Sequence, residues 1–62
     1  MQIDEVLSKA ASHGVSVYAA CKKSGIHQGT VVRWKNGQHE PMPASLAKFD
    51  KAVDAIIKER GK

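Results

Sequence analysis

Gln28 and Arg33 are the side chains of this sequence with the most specific chemistry to offer, and both lie in a stretch that carries no carboxylate. A glutamine amide can make two hydrogen bonds to an adenine edge, and a guanidinium can make two to a guanine; Val32 between them suits the methyl of a thymine. On a helix Arg33 shares a face with Gln28 and Gly29. Residues 6–39 contain neither Asp nor Glu, while Lys9, Lys22, Lys23, Arg33 and Lys35 give that stretch five positive charges within a chain of formal charge +4. The acids lie outside it, at Asp4 and Glu5 before and at Glu40, Asp50, Asp54 and Glu59 after. Such segregation makes a face of positive potential and suits a polyanionic partner.

Other chemistries lack their parts. No paired carboxylates, no nucleophile with a base and no metal cluster can be read from the spacing, which speaks against an enzyme. Cys21 is alone, with no His at a spacing that suggests a catalytic pair, and reads as a small buried residue. His13, His27 and His39 are scattered and have no second Cys to complete a zinc site, so neither metal nor cofactor is expected. A lone cysteine also fits a reducing compartment. No apolar run reaches the length of a membrane span, and the first residues lack the basic and apolar blocks of a signal peptide. The expected location is therefore the cytoplasm, of a bacterium or a phage-infected host.

At 62 residues the chain is expected to form one domain with a small core. Its apolar residues follow helical spacing. Ile3, Val6, Leu7, Ala10 and Ala11 outline one face of a first helix over residues 3–13, which Gly14 should stop. Ser16 can cap a second helix over 17–23, with Val17, Ala20 and Cys21 turned inward, and Ser24-Gly25 should end it. Ile26 anchors the turn. A third helix over 28–35 places Val31 and Trp34 inside, so that Trp34 belongs to the core and does not stack on a base. Asn36-Gly37 ends this helix, and Pro43 suits the first turn of a last one. There Leu46, Phe49, Val53, Ile56 and Ile57 keep a spacing of three and four up to Gly61. Three short helices do not readily cover so long a stripe. The Val53, Ile56, Ile57 end therefore either tucks onto the first helix or meets a second copy of the chain. The fold class is all-α: a compact bundle of four or five helices with a helix-turn-helix and a long C-terminal helix.

A helix, a turn of about three residues with a glycine, and a second helix form the layout that crosses the DNA backbone and enters the major groove. The run Val-Tyr-Ala-Ala-Cys-Lys-Lys-Ser-Gly-Ile-His-Gln-Gly-Thr-Val-Val-Arg-Trp-Lys-Asn-Gly, residues 17–37, resembles the Cro and repressor family of phage and bacterial helix-turn-helix regulators. Gly25, Ile26, Val31, Trp34 and Gly37 are the matching structural positions, and Pro43, Ser45 and Leu46 resemble the start of that family's next helix. The resemblance covers about a third of the chain and implies a sequence-specific transcriptional regulator of double-stranded DNA. It places Gln28 and Gly29 at the base edges, with Val32 and Arg33 reading the same groove and His27 and Thr30 near phosphate. Ser16, Tyr18, Lys22, Lys35 and Asn36 are further candidate phosphate contacts, which fix register without reading sequence. For Lys22 and Lys23 a merely solvated face is the competing interpretation. Two departures from the family pattern are Val17, where a phosphate-contacting glutamine is usual, and Cys21, where alanine is usual.

The implied protein is a Cro-like or compact repressor that occupies a promoter operator as a homodimer, with two recognition helices in successive major grooves. No membrane and no small-molecule effector is expected. The other class to keep is a helix-turn-helix module that binds protein, such as an antitoxin-like partner whose last helix docks on another chain.

Overall fold

In the computed structural model, which describes residues 2–61, the chain forms α1 (Ile3–Ser12), α2 (Val17–Ser24), α3 (Gln28–Lys35) and α4 (Pro43–Arg60). No strand occurs among the described residues, and the segment between α3 and α4 is turn and bend, so four helices form and the fifth does not. The breaks fall where the sequence places them. Gly14 takes a φ of 68° after α1 and Gly25 a φ of 78° after α2, a left-handed backbone that side chains with a Cβ rarely adopt. Pro43 opens α4, where its missing N–H costs no helical hydrogen bond.

The core is drawn from all four helices: Ile3, Val6 and Ala10 of α1, Ala20 and Cys21 of α2, Val31 and Trp34 of α3, and Leu46, Phe49, Val53 and Ile56 of α4. Val15, in the short link before α2, joins them. Phe49 has no exposed surface and meets the Trp34 ring edge to face, with ring centroids 6.4 Å apart and planes at 85°. On α1 the inward face is narrower than the sequence suggests. Leu7 is only half-buried, and Ala11, which follows Ala10 by about 100° of helical rotation, points to solvent.

The apolar stripe of α4 is covered within the chain. Val53 has no exposed surface, Ile56 is 9% exposed, and Ile57 packs half-buried against the same core. Of the Val53, Ile56 and Ile57 end expected either to tuck onto the first helix or to meet a second copy, Val53 and Ile56 are thus packed within the chain and Ile57 stays half-buried. α4, 18 residues and about 27 Å long, packs against both α1 and α2. Lys9 of α1 reaches Asp50 and Asp54 at 2.5 and 2.7 Å, and Lys23 at the end of α2 reaches Glu59 at 2.9 Å. Arg60 donates to the Gly14 carbonyl, which ties the end of α4 to the α1–α2 turn.

The hydrogen bond to Asp50, then that to Asp54, raises the Lys9 ammonium above its ordinary pKa. These pairs are at least partly exposed and contribute about 0.2–1 kcal/mol each, so they fix the orientation of α1 and α2 on α4 more than they hold the fold together. Burial carries the stability. Truncating Trp34 removes the largest apolar contact between α3 and the core, and Trp34→Ala should cost about 3–5 kcal/mol, most or all of what a domain this small possesses. A thermal melt followed by circular dichroism should lose its cooperative transition. A variant that melts like the parent would place Trp34 outside the core.

Candidate nucleic-acid interface

The surface in question begins where Ser16, in an extended backbone at φ −77° and ψ 149°, turns its hydroxyl onto the start of α2. Its Oγ accepts from the Ala19 N–H at 3.1 Å and satisfies one of the amides that a helix start leaves free. α2 then places Ala20 and Cys21 inward and Tyr18, Lys22 and Lys23 outward. Ala20 and Cys21 are small enough for α3 to come close. Val17, where the resemblance leads one to expect a glutamine, is half-buried against the core and is not free to contact phosphate.

The link from α2 to α3 is held by a side chain whose part the sequence reading missed. Ser24 is buried; its hydroxyl donates to the Cys21 carbonyl at 3.2 Å and accepts from the Ile26 N–H at 3.3 Å. Gly25 adds a backbone bond from its N–H to the same Cys21 carbonyl at 2.9 Å. The signal was a serine immediately before the turn glycine and two residues before an amide that needs an acceptor, the pattern of a local serine turn. His27 follows in an extended backbone and caps α3: its Nδ1 accepts from the Gly29 N–H at 3.0 Å.

With Val31 and Trp34 buried, the opposite side of α3 is set. Gln28, Val32, Arg33, Lys35 and Asn36 are all exposed, and Val32 keeps 45% of its surface in solvent. Gly29 and Thr30 are half-buried. The fold gathers the candidate residues in two groups. Tyr18, Lys22, His27 and Gln28 share a shallow cleft between α2 and the start of α3. Thr30 and Arg33 line a second groove on the other flank of α3, together with Met42 and Ser45 at the entrance to α4. Met42, 68% exposed, is a neighbour of Thr30 and Arg33 that the sequence did not single out. Ser16 stands at the opposite end of α2 from Lys22, and its oxygen is already engaged as a cap.

Electrostatics redistributes the charge that the sequence assigns to residues 6–39. Lys9 and Lys23 are paired with carboxylates of α4, whereas no ion pair among the described residues involves Lys22, Arg33 or Lys35. The cations of that stretch without an ion pair thus lie on α2 and α3, and Glu40 shares the groove of Arg33. Cys21 is buried, and desolvation pushes its thiol above the ordinary pKa, the opposite of what a nucleophile requires. Among the described residues no three His, Cys, Asp or Glu side chains come together as a metal site, and no helix is long and apolar enough to cross a membrane. Comparison with family models, with curated proteins and with solved structures returns no match.

The clip at the turn has a measurable consequence. Ser24→Ala leaves the partly buried Ile26 amide without its acceptor, which costs about 1 kcal/mol, the low end of the penalty for an orphaned donor. The urea midpoint should fall accordingly while the helical circular dichroism at zero denaturant stays unchanged. An unaltered midpoint would mean that the hydroxyl does not hold the turn.

Proposed function

We propose that this chain is a sequence-specific DNA-binding transcriptional regulator that lays α3 in the major groove, in the manner of the Cro and repressor regulators that residues 17–37 resemble. The observation that carries the reading is the composition of one surface. α3 exposes Gln28 on the flank toward α2, Arg33 on the flank toward α4 and Val32 between them, away from its buried Val31 and Trp34; Lys35 and the C-cap Asn36 are exposed at its end, and neither Arg33 nor Lys35 forms an ion pair among the described residues.

In this reading Gln28 and Arg33 read base edges through paired hydrogen bonds and Val32 lies against a thymine methyl. Lys22, Lys35, Tyr18, Thr30, Asn36 and the Ser16 hydroxyl hold the phosphates on either side, which sets register and supplies most of the affinity. Occupying a promoter is then enough to repress it. An operator with two half-sites takes two copies, and any pairing between them uses surfaces other than Val53 and Ile56. The other reading, a helix-turn-helix module whose last helix docks on another protein, draws no support from Val53 and Ile56, which are buried within the chain.

Fluorescence anisotropy on labelled duplexes at several salt concentrations tests the proposal. Affinity should fall with a log–log slope of about −0.9 per phosphate neutralised, and Gln28→Ala or Arg33→Ala should each cost about 1–3 kcal/mol on the preferred duplex while relaxing preference at single base pairs. Equal losses on every duplex would remove base readout, and a salt-insensitive or absent interaction would remove DNA as the partner.

A further inference from the structure

The position with the least to offer a base edge is Gly29, in the first turn of α3, and its backbone does not call for a glycine. Gly29 is not among the glycines with positive φ, which are Gly14, Gly25 and Gly37. What singles it out is the imidazole of His27. A methyl at residue 29 would stand 3.1 Å from His27 Nδ1 and 3.4 Å from its Cε1, so the ring lies over the place where a side chain would begin. The ring is held there by the cap, with Nδ1 accepting from the Gly29 N–H at 3.0 Å. A neutral imidazole whose Nδ1 accepts must carry its proton on Nε2. His27 is exposed, and it lines the cleft shared with Tyr18, Lys22 and Gln28.

The geometry points to His27 as a specificity-determining residue of the interface: its cap-locked Nε2–H serves as a fixed donor to a guanine N7 or O6, standing in for the side chain that Gly29 lacks. This rests on the DNA-binding reading above and alters the role that the resemblance gives the residue, from positioning on phosphate to reading a base. The pair works as a unit. Gly29 makes room for the ring, the ring caps the helix that carries it, and the cap chooses which nitrogen faces outward. A guanine offers two acceptors in the major groove, whereas a cytosine at the same place offers a donor and repels the N–H.

The test combines a tautomer measurement with binding. Long-range proton–nitrogen NMR of the free protein, taken where His27 is neutral, should show the proton on Nε2; a proton on Nδ1, or an averaged mixture, overturns the lock. His27→Asn keeps a good cap and removes the ring donor. It should melt like the parent and bind the preferred duplex about threefold to tenfold more weakly, the range of one neutral hydrogen bond, with the loss vanishing on a duplex in which that one base pair is changed. Gly29→Ala should displace the ring and give the same selective loss. A loss equal on all duplexes assigns the donor to phosphate and overturns base readout by His27. Full affinity in His27→Asn overturns the contact altogether, while a parent protein that prefers no duplex overturns the DNA reading and this inference with it.

Discussion

The edge-to-face contact of Trp34 with Phe49 fixes which side of α3 is inside. α3 has only 8 residues, too few to be a stable helix in water by itself. It exists because Val31 and Trp34 bury its inner side against a ring that has no exposed surface. Once those two side chains are committed, the phases of Gln28, Val32, Arg33 and Asn36 follow from helical geometry alone. The outward face of α3 is thus a consequence of core packing, and a rigid reading surface needs that kind of support because bidentate hydrogen bonds tolerate little error in position.

Around this contact the fold divides its labour. α4 is the scaffold against which α1 and α2 both pack, and its carboxylates draw off Lys9 and Lys23. That pairing sharpens the charge pattern. The cations of the stretch that form no ion pair among the described residues are Lys22, Arg33 and Lys35, although Glu40 lines the same groove as Arg33. The α2–α3 link is fixed twice, by Gly25 in a left-handed conformation and by the Ser24 hydroxyl bridging Cys21 and Ile26. Such a turn sets how α3 leaves α2, beside a cleft lined by Tyr18, Lys22, Ile26, His27 and Gln28.

Much of this arrangement is legible in the residues. The four helices, the Ser16 cap, the Gly25 turn and the burial of Val31, Trp34 and Cys21 all follow from periodicity and from what serine and glycine do at helix ends. Less legible were the features that depend on contacts between distant parts of the chain. The stripe ending at Val53, Ile56 and Ile57 looks too long for the short helices, because sequence does not say that both α1 and α2 pack on it. Five cations in an acid-free run look equivalent until tertiary structure brings Asp50, Asp54 and Glu59 to two of them. Ser24 and the His27–Gly29 pair depend on where a hydroxyl or a ring points, which periodicity does not encode. The assignment of DNA rests on the residue types of one exposed face and on the resemblance of residues 17–37.

Selection of a preferred duplex from a random pool addresses the central claim most directly, since it asks whether the outward face of α3 distinguishes bases at all. The account predicts enrichment of a short motif containing adenine and guanine at spacings one recognition helix can reach, repeated as an inverted pair if two copies bind together. A pool that emerges from repeated rounds with no enriched sequence would contradict it.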